Sequence, residues 1–201
     1  MPTQAHLYAR PAPMTALALA PKGMYILPVG GKRDSYWYVP SRYNPRHPMP
    51  LVVLLHGAGA HAQDGLDILR SLADQAGLML VAPASDAATW NIIAARTYGS
   101  DASLIDQALT HVFERYAVDP EHLGIGGFSD GASYALTLGL ANGDLLTHVL
   151  AFSPGFIGPM TARGEPKIYI SHGSEDEVRP VNPCSRRAAG APGNGAHVRR
   201  I

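Results

Sequence analysis

The run Gly127-Phe128-Ser129-Asp130-Gly131 has the spacing G-x-S-x-G. An apolar strand pattern precedes it and a helical pattern follows at once. A tight turn from strand to helix strains the serine backbone and presents its hydroxyl at the edge of a sheet, ready to act as a nucleophile. Glycines on either side leave room for the neighbouring chain. The positive end of the following helix points toward the serine oxygen. An ordinary turn serine is the plainer alternative, and this strand-and-helix context disfavours it.

A second stretch, Leu54-Leu55-His56-Gly57-Ala58-Gly59, lies at the carboxyl end of an apolar strand. Open α/β sheets bind ligands at that end. Acyl transfer needs two N–H donors aimed at the developing oxyanion. The pattern assigns the N–H of Ala58 and that of Asp130, with Gly59 as the near alternative to Ala58. His56 is read as a structural hydrogen-bonding residue. His56, His61 and Asp64 lack the spacing of a metal site.

A third stretch runs from Ile170 to Pro180 and follows another strand. Asp176 lies on its loop, where an acid can hold a histidine tautomer and stabilise the imidazolium. Glu175 and Glu177 are the alternatives, and His172 is read as structural. His197 is the histidine beyond, 21 positions after Asp176. A helix, a strand and their loops between acid and base take roughly 25 to 35 residues. Pro183, Gly190, Pro192, Gly193 and Gly195 favour neither element. His197 is the candidate base, and a histidine in an irregular tail is the preferred reading of it.

The elements that must position these groups follow from periodicity. Residues 1–22 read as an irregular lead-in, 23–187 as the folded core and 188–201 as an atypical tail. Met24 to Leu27 and Tyr36 to Val39, separated by the turn-prone Gly30 to Asp34, predict an antiparallel hairpin. Leu51 to Leu55 is a continuous apolar run, as in a strand buried on both faces. Helices are predicted near Asp64–Gln75, Asp101–Tyr116 (with Asp101 as its cap) and Ala132–Leu140. Strands are predicted at Leu78–Ala82, Leu123–Gly126, Val149–Phe152 and Lys167–Ile170. A long loop runs through Trp90 and Tyr98. Alternating strands and helices imply a three-layer α/β/α sandwich with a mostly parallel sheet.

Composition narrows the function classes. The chain has 201 residues and zero formal net charge, which gives no reason to expect nucleic acid or an acidic membrane surface as a partner. Its single cysteine, Cys184, cannot form an internal disulfide. The N-terminus has no secretory pattern, and Ala16 to Ala20 is too short to span a bilayer. A cytoplasmic protein is the expectation.

Taken together, these motifs resemble the phospholipase/carboxylesterase branch of the α/β-hydrolases, close to bacterial esterases that resemble polyhydroxybutyrate depolymerases. The resemblance rests on Val53 to Gly59, Thr89-Trp90, Gly126 to Gly131, Ala151-Phe152-Ser153-Pro154-Gly155, and Ile170 to Gly173 with Asp176. It implies a carboxylic-ester hydrolase without a cofactor, acting on a small-molecule ester, with Ser129 as nucleophile and Asp176 as acid. It further implies that Gly59, Trp90 and Phe152 lie near the substrate pocket, against a plainer reading of Trp90 and Phe152 as core.

The tail departs from this pattern after Arg187, in the manner of a changed reading frame. The expectation is a sheet without its last strand and covering helix. Lys167 to Ser171 then becomes an exposed edge that invites a homodimer, or coverage by the tail itself. Two other functions stay open: an inactive scaffold that binds an acyl ligand, and thioester hydrolysis or acyl transfer on the same fold.

Overall fold

The computed structural model describes residues 5–11, 21–173 and the backbone strand at 197–200. The described strands are β1 (Gly23–Leu27), β2 (Ser35–Val39), β3 (Met49–Leu55), β4 (Met79–Ala82), β5 (Val118–Phe128), β6 (His148–Phe152), β7 (Lys167–His172) and β8 (His197–Arg200). The helices are α1 (Ala62–Ala76), α2 (Asn91–Ala94), α3 (Gly99–Phe113) and α4 (Asp130–Ala141). The strands form one sheet in the order β1-β2-β4-β3-β5-β6-β7-β8. The hairpin β1–β2 is antiparallel, and β2 pairs antiparallel with β4. From β4 through β3, β5, β6, β7 and β8 every pairing is parallel.

The apolar run of β3 divides between two cores because successive side chains in a strand point to opposite faces. Leu51, Val53 and Leu55 join a large cluster with Ile105 and Leu109 of α3 and Ala132, Ala135 and Leu136 of α4. Val52 and Leu54 join a smaller cluster with Ala62, Leu66 and Ala73 of α1. The sheet is therefore covered on both faces, α1 on one and α3 with α4 on the other.

Several boundaries moved. β5 begins at Val118, well before the predicted Leu123, because Asp119, Pro120, Glu121 and His122 carry no apolar signal. A short helix, α2, interrupts the expected loop after Trp90. Asp101 is not the cap of α3: it lies inside that helix, buried, and its carboxylate accepts the N–H of Asn91 at the start of α2. The lead-in is irregular yet tied down. Leu7 is buried and donates its N–H to Asn142 Oδ1 at 2.8 Å, and Asn142 Nδ2 donates to the Ala5 carbonyl at 2.6 Å.

The largest correction concerns the far edge of the sheet. β7 is not its last strand, because β8 pairs with it in parallel from Tyr169–His197 to His172–Arg200. The backbone groups expected to stand open on β7 bond to the tail, which is the coverage expected as the alternative to a homodimer. The edge that argued for a homodimer is thus occupied, which removes the physical reason for expecting one there. The segment expected to hold the missing helix lies outside the described residues.

Candidate active site

Register brings the carboxyl ends of the parallel strands to one rim. Leu55 faces Gly127, Phe128 faces Phe152, and Phe152 faces Ser171. Ser129 follows directly, at the junction of β5 and α4, and it is partly exposed. Its backbone has φ 55° and ψ −115°. That region is disfavoured for any residue with a Cβ and is held here by the surrounding structure. The Ser129 N–H donates to the Phe152 carbonyl at 2.9 Å, and its own carbonyl accepts the Ser133 N–H at 3.0 Å.

The two flanking glycines are obligatory. A Cβ on Gly127 would lie 2.6 Å from both the Gly131 carbonyl carbon and the Leu55 oxygen. A Cβ on Gly131 would run into the Leu55 carbonyl and come within 2.6 Å of the His56 oxygen. The loop after β3 is therefore pressed against the turn that carries Ser129. Gly57 sits so close that a Cβ there would be 3.7 Å from the Ser129 Cβ. This strained serine turn, set into a mostly parallel sheet with helices on both faces, decides the architecture.

The chain has the α/β-hydrolase fold.

Comparison with solved structures agrees. The ferulic acid esterase of Anaeromyces mucronatus, solved with ferulic acid, superposes with a TM-score of 0.69 at 19% identity, covering 94% of this chain and 85% of that one. The phospholipase/carboxylesterase of Dyadobacter fermentans gives a TM-score of 0.62 at 20% identity over 90% and 87% of the two chains. A thermostable esterase gives 0.68 at 19% identity, and this chain spans only 50% of its length. No family profile matches the sequence, and no curated protein does.

Burial and hydrogen bonds around this α/β-hydrolase turn show what its neighbours touch. His56 is buried, with Nδ1 2.8 Å from the Gly57 carbonyl and Nε2 accepting the Ser85 N–H at 3.2 Å. Burial holds its pKa below the usual histidine value, so the neutral ring with hydrogen on Nδ1 fits both partners. Both ring nitrogens are engaged, and His56 works as a brace for the loop. His61 Nδ1 instead meets Arg33 Nη2 at 2.8 Å, and Asp64 accepts the His61 N–H at 2.7 Å.

Of the two candidates for the loop donor, Gly59 gives its N–H to the Ala88 carbonyl at 2.7 Å and is thereby committed. Gly59 otherwise faces open space, with nothing within 4 Å of where a Cβ would stand. Asp130 is the first residue of α4, and the first N–H groups of a helix point out of its end. Its buried carboxylate accepts the Thr89 hydroxyl at 2.8 Å, a contact that explains Thr89 and that spacing alone did not suggest.

Trp90 is core. It is 0% exposed, its ring lies tilted 4.7 Å from the His56 ring and 5.4 Å from that of Tyr134, and it donates Nε1–H to the His56 carbonyl at 2.8 Å. It supports the loop from beneath and has no surface for a ligand. Phe152 is half-buried beside Ser129, and Phe128 is 53% exposed next to it. Phe128 went unnoticed in the sequence because it looked like a filler between motif residues.

Asp176, with Glu175, Glu177 and Cys184, lies outside the described residues. His172 ends β7 and is buried. His197 begins β8 level with Tyr169, and hence with Leu150 and Gly126. Three strand spacings separate its backbone from β5, about 14 Å, and it sits below the rim. The register thus keeps His197 away from Ser129, because the residue opens a strand where the sequence suggested a free tail.

Among the described residues no helix is long and apolar enough to cross a membrane.

Proposed function

We infer that the protein hydrolyses small carboxylic esters through an acyl-enzyme on Ser129. One observation carries this reading: the left-handed, strained backbone of Ser129, locked between two glycines that admit no side chain. Strain of this kind persists only where the surroundings enforce it, and it lifts the hydroxyl to the rim. Ser129 attacks the ester carbonyl, the alcohol leaves, and water releases the acid. The N–H groups of Ala58 and Asp130 stabilise the oxyanion, and Asp176 is the acid of the same reading. Phe128 and Phe152 flank the reacting carbon.

A second reading is a scaffold that binds an acyl ligand without turning it over. The register of β8 favours it, since His197 stands three strands from β5. Loss of a triad histidine costs on the order of 10⁶ in turnover. Release of p-nitrophenol from p-nitrophenyl acetate, compared between the wild type and Ser129→Ala, separates the two. A slow rate that vanishes in Ser129→Ala supports the esterase. Equal rates in both leave only the scaffold.

A further inference from the structure

Two walls meet beside α4. One is α2 with the residues after it. The other is the loop that follows β6. Between them lies a cavity of about 370 Å³, lined by Ile92, Ile93, Phe156, Ile157 and Pro159, with Arg96 as its charged group. One wall follows the carboxyl end of β4 and the other that of β6, the neighbour of β5, at the end where α/β sheets bind ligands.

The cavity is built rather than incidental. Ser133 Oγ accepts the Gly155 N–H at 2.9 Å, and one turn later Thr137 Oγ1 accepts the Gly158 N–H at 2.9 Å. Both hydroxyls also donate back along α4, Ser133 to the Ser129 carbonyl at 3.2 Å and Thr137 to the Ser133 carbonyl at 2.8 Å. The far wall is fastened by the Tyr98 hydroxyl, which donates to the Pro159 carbonyl at 2.5 Å. Gly158 lets the walls close, since a Cβ there would be 2.7 Å from Ile92 Cδ1. The chain of bonds that shapes the cavity therefore starts at the carbonyl of Ser129. It runs along α4 for one to two turns, about 6–12 Å.

Arg96 has φ 54°, a left-handed conformation that arginine adopts rarely. Among the described residues no carboxylate forms an ion pair with it. An apolar slot with one exposed guanidinium at its edge suits a ligand of matching pattern: a hydrocarbon arm ending in an anion that the guanidinium can grip in two places.

The geometry points to this cavity as the acyl-arm site for esters whose chain ends in a carboxylate, the half-esters of medium-length dicarboxylic acids, with Arg96 as the residue that selects the charge. This rests on the esterase reading for the chemistry, though not for the binding.

Two measurements keep the two claims apart. In the first, kcat/KM for monomethyl suberate and for the uncharged methyl octanoate is measured with the wild type, Arg96→Gln and Arg96→Lys. The wild type is expected to favour the half-ester at least tenfold, Arg96→Gln to erase the preference mainly through KM, and Arg96→Lys to restore part of it. In the second, suberate is titrated into Ser129→Ala protein with Arg96 intact or changed to Gln, and chemical-shift changes are followed at Ile92, Ile93 and Ile157. Saturable shifts that disappear in the Gln variant support the site even if the wild type hydrolyses nothing, in which case the esterase reading alone fails. Ser129-dependent hydrolysis with no charge preference, together with no Arg96-dependent binding of suberate, overturns the cavity assignment and leaves the esterase standing.

Discussion

Ser133 holds the carbonyl of Ser129 with two groups at once, its N–H at 3.0 Å and its hydroxyl at 3.2 Å. The same hydroxyl accepts the Gly155 N–H, so it ties the Ser129 turn to the loop after β6. Ser133 is fully buried. Ser133→Ala leaves the partly buried Gly155 N–H without its acceptor, which costs about 1 kcal/mol. Chemical denaturation is expected to show that loss, and any esterase rate is expected to fall with it as Gly155 shifts.

Strain at Ser129 makes a prediction of opposite sign. Glycine tolerates φ 55° where serine does not. Ser129→Gly is expected to raise thermal stability, by about 1 kcal/mol or more, while removing hydrolysis altogether. A variant that melts lower than the wild type argues against strain at this position.

Gly131→Ala probes the contact that presses the loop after β3 onto the Ser129 turn. The new methyl would meet the Leu55 and His56 carbonyls, neither of which is the end of a flexible side chain. Destabilisation of about 3 kcal/mol or more is expected from such backbone overlap, read as a lower denaturant midpoint with an unchanged slope.

Asp101 supplies a pH test. Burial raises its carboxyl to about 6, against 3.8 for an ordinary aspartate. The folded state therefore holds this proton more tightly than the unfolded chain. The associated stability is fully present below about pH 4 and is lost as pH rises through about 6. Asp101→Asn keeps an oxygen for the Asn91 N–H and carries no charge. The melting temperature of Asp101→Asn relative to the wild type is expected to rise between pH 4 and pH 7 and to level off above. A difference independent of pH contradicts the raised carboxyl.

His197→Ala is expected to leave hydrolysis unchanged, because β8 sets that residue three strands from β5. Steady-state rates with p-nitrophenyl acetate check this, and a fall to background would show that the tail reaches the site.

Much of this could be read from residue types because the strongest constraints here are local. A buried parallel strand leaves an unbroken apolar run, as in β3, and an elbow leaves two glycines around a serine. What periodicity could not supply was set by tertiary contact. Asp101 looks like a helix cap until α2 offers it a buried N–H. Trp90 looks like a pocket residue until His56 and Tyr134 enclose it. β8 was missed because His197 to Arg200 has the charge of a tail, and only pairing with β7 makes it a strand. Arg96 carries no motif at all, and its meaning comes from the walls on either side.

The most direct test of the account is labelling with a fluorophosphonate, followed by intact and peptide mass analysis. The expected result is one adduct per chain, on Ser129, absent from Ser129→Ala. A wild-type protein that stays unlabelled, or an adduct that survives in Ser129→Ala, contradicts the claim that this serine is the nucleophile.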